Sequence, residues 1–322
     1  MKKKNLKNII IGFLVGLCTL APLSILSNID INKSNSSLDN NVPTKNLCCI
    51  YDESLSFESA KGGLRIFCPT ENGYVNYNIL HTIDSSRYSD VWRIGQALFF
   101  DDNLSNSYPI SVQGAEWDMA LKIDGRNDFI GGYAHGDESY TSVSFTIDGK
   151  EVDVTTINEL IDFEEIIINE SSIGYDPNDH ITEALYHDKE FVITKDGIKL
   201  NQRVQWLNEY KIMSSYLAMM PPLKSLTDHF YTDTLNEPLL CSSNMGTFNN
   251  AKEAVVYGEE SGLYFEMSVP NYPSLKTGNY FLLADNGGGA YNKMYFVLCN
   301  GYNVSPNEVW ESTTIYKIYN KG

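Results

Sequence analysis

Short runs of apolar and aromatic residues recur along most of the chain, separated by turns rich in Gly, Asn and Asp. Runs of this length, with alternating or aromatic character, are typical of β-strands rather than helices. We expect strands over residues 91–100, 111–123, 142–147, 151–157, 191–194, 198–206, 280–283, 294–299 and 313–319. The pair Asp196-Gly197, between two of these runs, gives the strongest hairpin signal in the chain.

Helical periodicity is scarce. Residues 157–162 and 208–220 fit it best, and both segments also fit strands. Many short strands at regular spacing predict an all-β fold, a large antiparallel β-sandwich of jelly-roll or supersandwich type with little helix. We expect residues 47–322 to form a single domain, with an alternative division near residue 250.

The N-terminal segment differs from the rest of the chain. Four lysines within the first seven residues precede an uncharged, mainly apolar run over 9–26, and the small residue Ser27 follows. This order predicts a secretory signal peptide over 1–27 and a secreted or cell-surface protein. The run is also about long enough for an uncleaved membrane anchor. Residues 28–46 are polar and rich in Asn and Ser, and predict a flexible leader.

The composition narrows the range of partners. The formal net charge is −17, and this negative field would repel nucleic acid and anionic lipid surfaces. The chain has no phosphate-binding loop, dinucleotide fingerprint or Cys-x-x-Cys pair, so we expect neither a cofactor nor a metal site. An odd number of cysteines follows residue 27, and a bridge between Cys48 or Cys49 and Cys68 stays open.

The densest cluster of chemically active residues is the segment 128–138, with sequence DFIGGYAHGDE. Its glycines allow positive φ and a close approach of the backbone to a ligand. Histidine side chains can act as acids or bases near neutral pH, which makes His135 a candidate for this role. Tyr133 and Glu138 lie within the same segment, which we therefore expect to carry function.

A second group of polar residues spans two predicted strands. His187 lies in the segment Tyr186-His187-Asp188-Lys189, and 201–206 reads NQRVQW. On a strand, Asn201, Arg203 and Gln205 share one face, because side chains alternate. Amides suit sugar hydroxyls, and a guanidinium can bind a carboxylate through two hydrogen bonds. Gln202 adds a further amide, so the group is a candidate for substrate binding.

A third group lies in the predicted strand 111–123. Glu116 and Asp118 would share one face there, roughly 7 Å apart. Glu116-Trp117-Asp118 resembles the opening of the catalytic strand motif of laminarinase-like β-sandwich glycosidases, but Ala120 and Leu121 stand where that motif has its second Glu. Retaining hydrolysis needs two carboxyl groups at the scissile bond. Glu116 and Asp118 are therefore kept as substrate-binding candidates only. Residues 176–180 could bind calcium through loop oxygens, but they lack the EF-hand spacing, so we expect them to form a plain turn.

These residue types favour a carbohydrate-active enzyme, most concretely a polysaccharide lyase acting on an extracellular glycan. A lyase needs a base, a proton donor and a group that neutralises the uronate carboxylate. His135 or His187 would be the base and Tyr133 the acid. Arg203, with its amide neighbours, would neutralise the carboxylate.

Three alternatives stay open. A sugar epimerase would use His135 with Glu138. A non-catalytic glycan-binding or surface-adhesion protein would use the same aromatic and amide side chains without an acid–base pair, and a structural role would need only the strands and turns. The enzyme hypothesis depends on whether His135 lies on the same surface as His187 and Arg203.

Overall fold

The computed structural model describes most of the chain beyond residue 44. The described ranges are 45–56, 60–115, 117–132, 135–241, 245–275, 278–285 and 289–321. The predicted signal peptide and nearly all of the predicted leader lie outside these ranges. Among the described residues, no helix has the length and apolar character needed to cross a bilayer.

Strands form nearly all the regular structure of the described ranges. In chain order they are β1 (Cys48–Asp52), β2 (Ala60–Thr70), β3 (Gly73–Asp84), β4 (Ser89–Phe100), β5 (Ser107–Pro109), β6 (Ala120–Ile123), β7 (Phe129–Ile130), β8 (Glu138–Ile147), β9 (Lys150–Glu151), β10 (Ile161–Asp162), β11 (Ile166–Tyr175), β12 (Glu183–Thr194), β13 (Gly197–Trp206), β14 (Tyr210–Met220), β15 (His229–Thr232), β16 (Leu239–Leu240), β17 (Gly246–Asn249), β18 (Glu253–Tyr257), β19 (Leu263–Asn271), β20 (Tyr280–Asp285), β21 (Asn292–Val297), β22 (Tyr302–Val304) and β23 (Val309–Asn320). Short 3-10 helices span Val154–Thr156 and Lys224–Leu226.

The strands form two sheets. The larger sheet has the order β10-β1-β2-β3-β4-β8-β11-β12-β13-β23-β19-β18-β15-β16, with β5 beside β4 and β9 beside β8. The smaller sheet has the order β17-β20-β21-β14-β6-β7, with β22 beside β14. Strands β4 and β8 run parallel, and the other pairs in these ranges are antiparallel. The predicted all-β class, a large and mostly antiparallel sandwich, is confirmed.

Side chains from both sheets share one apolar core. Trp206 and Trp310 enter it from the larger sheet, and Met220 and Phe296 enter from the smaller sheet. Burial of apolar area on facing sheets is the main force that holds such a sandwich together.

The register brings several turns to one end of the larger sheet. Ser89, at the start of β4, is aligned with Glu138 at the start of β8. Glu138 is in turn aligned with Gly174 near the end of β11. The β3–β4 turn, the loop before β8 and the β11–β12 turn therefore lie at the same end.

Several predicted elements need correction. Of the predicted strand 111–123, only β6 forms, so Asp118 lies in a bend before the strand and not on a strand face. The possible helix at 208–220 is β14, and most of 157–162 is irregular apart from β10. The predicted β12–β13 hairpin is confirmed, with Thr194 aligned to Gly197. The cysteines of the described ranges are free thiols, so the bridge to Cys68 is not formed.

Candidate functional site

A buried polar network between the sheets contains four predicted site residues, namely Asp118, Glu138, His187 and Gln202. His187 places Nδ1 2.9 Å from Oε1 of Glu138 and Nε2 3.3 Å from Oε1 of Gln202. The amide nitrogen of Gln202 donates to the carbonyl of Leu217 in the smaller sheet at 2.7 Å, which turns its oxygen toward His187. Both ring nitrogens thus face side-chain oxygens.

A fully buried lysine lies at the centre of this network. Nζ of Lys189 is 2.6 Å from Glu170 and 3.3 Å from Asp118. It lies 3.6 Å from Glu138. Burial lowers the pKa of Lys189, but these carboxylates outweigh burial and raise the pKa above its usual range. Burial raises the pKa of Glu138, yet Lys189 and His187 hold that pKa well below its ordinary value.

The network is closed to ligands. The side chains of His187 and Lys189 are 0% exposed and that of Glu138 is 3% exposed. His187 points inward because alternate residues of β12 face the core. The structure therefore does not support His187 as a base that touches substrate. The same burial removes Asp118 and Gln202 from direct contact with substrate.

The predicted polar face of β13 does form. Asn201, Arg203 and Gln205 share the outer face of the larger sheet, while the alternate residues of the strand are buried. Arg203 consequently lies on the opposite side of the sheet from His187. The grouping of these two side chains that the lyase hypothesis requires is not formed.

The glycine-rich segment forms a tight loop that holds His135. Nδ1 of His135 is 2.5 Å from Oδ1 of Asp128, and its ring lies 4.5 Å from that of Phe129. The N–H of Gly131 donates to the carbonyl of Gly136 at 2.8 Å and closes the loop. Both glycines have positive φ, 79° and 88°, as the sequence predicts.

A second histidine–carboxylate pair lies at the same end of the sandwich. Nδ1 of His180, in the β11–β12 turn, is 2.5 Å from Oδ1 of Asp137. The ring of Tyr88, from the β3–β4 turn, stacks on His180 with 3.8 Å between centroids. Tyr88, Asp137 and His180 all have positive φ, at 53°, 54° and 59°. Non-glycine residues rarely adopt this backbone, and such strain concentrates at functional sites.

We call Tyr88, Asp128, His135, Asp137 and His180, which lie in turns at the same end of the sandwich, the turn cluster. Burial raises the pKa of Asp137, and the nearby charge of Asp128 raises it further against the opposing effect of His180. Burial raises the pKa of Asp128, but the hydrogen bond and charge of His135, together with the N–H of Phe129 and the charge of Lys122, lower it below its usual value. The two carboxyl groups are thus shifted in opposite directions, a pattern that separates an acid from a base.

A carboxylate lies at Nδ1 of each histidine. This contact orients the two imidazole rings. The side chain of His180 is 32% exposed and that of His135 is 14% exposed. The turn cluster thus holds two oriented imidazoles within reach of solvent.

The sequence pattern placed His180 only in a turn, without a catalytic role, and did not point to Tyr88. The segment 176–180 is indeed a turn, as expected. The contact of His180 with Asp137 joins residues 43 apart in the chain, so no local pattern reveals it. The one available signal was a histidine at the end of an Asp-rich turn.

Two predicted site residues, Glu116 and Tyr133, lie outside the described residues, and their roles stay predictions. A further pair, His229 with Asp228 at 2.8 Å, lies on β15, seven strands from β8 in the larger sheet. Within the ranges described, no group of three or more His, Cys, Asp or Glu residues is arranged to hold a metal ion.

No family model matches the sequence, and no curated protein matches it in sequence. One similar solved structure is the galactosidase domain of an alpha-galactosidase-sucrose kinase, with TM-score 0.45 and 9% identity over 80% of this chain and 41% of that chain. Another is the 4-alpha-glucanotransferase of Thermococcus litoralis, with TM-score 0.43 and 8% identity over 85% of this chain and 40% of that chain. A galactose mutarotase-like protein of Clostridium acetobutylicum gives TM-score 0.40 and 10% identity over 86% and 100%.

The matches span about two fifths of the length of the first two structures. At this level the similarity concerns β-rich architecture and assigns no activity to this chain.

Proposed function

We propose that the turn cluster is the acid–base site of a carbohydrate-active enzyme. The observation that carries this proposal is the pairing of two histidines with two carboxylates of opposite pKa shift at one end of the sandwich. Positioned proton transfer of this kind accelerates reactions by about 10²–10⁴-fold.

The two histidines would transfer protons to and from the sugar. Asp128, whose pKa is lowered, lies at Nδ1 of His135, and Asp137, whose pKa is raised, lies at Nδ1 of His180. One histidine would deliver a proton to one sugar oxygen while the other accepts a proton from another. Glu138 would act only indirectly, by holding the strand that begins next to Asp137.

Aromatic rings beside both histidines support a sugar as substrate. Tyr88 is 49% exposed and lies against His180. Phe129 lies against His135 and stacks on Tyr216 at 5.7 Å. The C–H faces of sugars pack well against aromatic rings, while the sugar hydroxyls remain available to the polar groups.

The charge around the site favours a neutral sugar over a uronate. Arg126, a guanidinium next to the β11–β12 turn, donates hydrogen bonds of 2.7, 2.9 and 2.6 Å to the carboxylate of Asp176. Arg203 lies on the outer face of β13. A uronate would thus meet the carboxylates of Asp128 and Asp137, while the guanidinium of Arg87 in the β3–β4 turn lies 3.7 Å from the carboxylate of Asp84. The lyase form of the hypothesis is for this reason the second candidate.

The location of this activity is also a proposal. The basic head and apolar run at the N-terminus support export, so we place the reaction outside the cytoplasm or at the cell surface.

The test is a screen of the full chain against neutral polysaccharides, uronate polysaccharides and their free sugars. Three signals are followed together: reducing ends, ultraviolet absorbance of unsaturated products, and uptake of deuterium from D₂O at sugar carbons by NMR. We expect reducing ends or deuterium uptake with neutral sugars. Absorbance with uronates alone would favour the lyase, and silence in all three signals would contradict catalysis and favour a glycan-binding protein.

A further inference from the structure

A polar depression of about 390 Å³ lies on the larger sheet, away from its turns. Its lining comes from four neighbouring strands, β11, β12, β13 and β23, and from Asn271 at the end of β19. Strand β19 leaves its regular register with β23 between Ser268 and Asn271 and then ends. The sheet therefore loses one neighbour beside β23, which borders the depression.

Two cross-strand rows of side chains form the depression. Asp188 is aligned with Arg203, and Arg203 with Glu311. In the next row Glu190 is aligned with Asn201, and Asn201 with Thr313. These side chains share the outer face because the residues that alternate with them are buried. Together they alternate hydrogen-bond donors and acceptors across three strands.

Side-chain hydrogen bonds hold this arrangement in place. The amide nitrogen of Asn201 donates to Glu190 at 2.7 Å, and the hydroxyl of Thr313 donates to the oxygen of Asn201 at 2.9 Å. Arg203 donates to Gln205 at 3.0 Å. Binding to groups already ordered in this way costs less conformational entropy.

An exposed aromatic ring extends the polar rows. Tyr186 is 40% exposed and points outward from β12, one row beyond Asp188. Tyr186 is aligned with Gln205, which links it to the hydrogen-bonded lattice. An apolar ring next to fixed amide, guanidinium and carboxylate groups is the combination that sugar recognition uses.

The charge of the depression limits the class of ligand. Asp188, Glu190 and Glu311 supply three carboxylates, and Arg203 supplies one guanidinium 3.6 Å from Asp188. Nucleic acids and acidic glycans would be repelled. The site has too many fixed polar groups for an apolar ligand. A neutral, polyhydroxyl ligand satisfies both conditions.

We infer that this depression binds a neutral glycan without acting on it, as a site separate from the turn cluster. The full chain would then hold a polysaccharide on the outer face of the larger sheet and carry its chemistry at the turns. This inference stands independently of the proposed acid–base function.

The test is affinity electrophoresis and calorimetry of the full chain with neutral polysaccharides, and with acidic polysaccharides for comparison. We expect binding to neutral chains, weakened at least tenfold by Arg203→Ala and by Tyr186→Ala. Both side chains are exposed, so these variants keep the fold, which circular dichroism verifies. Lys199→Ala changes an exposed residue of the same strand face outside the lining and serves as the matched control.

The variant His180→Ala separates this inference from the proposed function. It should bind as the unmodified chain does, since it leaves the depression intact. Binding that is lost in His180→Ala but kept in Arg203→Ala would overturn the inference and assign the ligand to the turn cluster. Absence of neutral-glycan binding, or preference for acidic glycans, would overturn it as well.

Discussion

At the scale of single residues, the turn cluster is built on unfavourable backbone conformations. Tyr88, Asp137 and His180 each occupy the left-handed region, at a cost of about 1–2 kcal/mol per residue. Contacts hold the three in place, because Asp137 pairs with His180 and Tyr88 stacks on it. Gly136 adds a close approach, since a Cβ there would overlap the carbonyl oxygen of Arg87. Strained backbone conformations thus hold His180 in its position.

Asp137→Asn tests this interpretation at one atom. Asn tolerates the left-handed backbone and keeps an oxygen for His180, but it carries no charge. The pKa of Asp137 is raised in the folded protein, so above about pH 4 the unfolded chain releases this proton before the folded chain does. The free energy of unfolding contributed by Asp137 therefore falls as pH rises above about 4. We expect the free energy of unfolding of the variant to rise relative to the unmodified chain as pH increases from about 4, while activity falls about 100-fold.

Urea unfolding at several pH values measures the first part of this prediction. If the free energy of unfolding of the variant is more than about 2 kcal/mol below that of the unmodified chain at pH 7, Asp137 has a stabilising structural role instead.

At the scale of elements, periodicity and turn chemistry predicted the strands that pair with their sequence neighbours. The β12–β13 hairpin follows from alternation and from Asp196-Gly197. The prediction failed at 111–119, where Trp117 and Met119 are buried in an irregular segment. Burial made that segment look like a strand, although its backbone has few ladder partners there. Apolar composition indicates that a segment is buried, but a strand also requires backbone hydrogen bonds to a neighbouring strand.

The candidate site was predictable to the same extent. The glycine loop around His135 was visible because its residues are contiguous. His180 was not, because its partner Asp137 and the ring of Tyr88 come from other turns. Alternation correctly separated the outer face of β13 from the core. It could not reveal that His187 on β12 would be enclosed by a polar network.

Gly197→Ala tests the turn at the start of β13. Gly197 has φ of 113°, and a Cβ there would overlap the carbonyl oxygen of Tyr316 on β23. Gly149 also has positive φ, 77°, but a Cβ there would meet nothing within 4 Å. We expect Gly197→Ala to lower the free energy of unfolding by about 3 kcal/mol and Gly149→Ala by about 1 kcal/mol. Equal losses in denaturant melts would contradict the role of the Tyr316 contact.

At the scale of the whole molecule, the network around Lys189 joins the two sheets. Asp118 reaches Lys189 from the segment before β6, and Gln202 of β13 donates to Leu217 of β14. Polar groups of this kind are costly to bury unless each one is paired. The network therefore favours one arrangement of the sheets over others with similar apolar burial.

Lys189→Met should lower the free energy of unfolding by about 3–5 kcal/mol at neutral pH, because buried carboxylates lose their cation. In the unmodified chain the pKa of Glu138 is lowered, so its contribution is present above the unfolded pKa and lost as pH falls. In the variant the buried carboxyls would bind protons more readily. We therefore expect the difference between the two proteins to shrink as pH falls from 8 toward 5.

The matched control is Lys211→Met, which removes an ion pair with Asp124 whose side chains are 48% and 52% exposed. Loss of this ion pair should lower the free energy of unfolding by less than about 1 kcal/mol, and the change should depend little on pH over this range. A similar cost for both variants would contradict the account of the network.

Acid–base chemistry at the turn cluster is tested by comparing turnover of the full chain with turnover of His180→Ala and His229→Ala. The substrate is the one found in the neutral-sugar screen. Both variants remove an imidazole whose Nδ1 faces an aspartate, but only His180 belongs to the turn cluster. If the turn cluster carries the acid–base chemistry, His180→Ala lowers the rate at least about 100-fold, while His229→Ala stays within about twofold of the unmodified chain. Equal rates for the unmodified chain and His180→Ala would contradict the assignment of acid–base chemistry to the turn cluster.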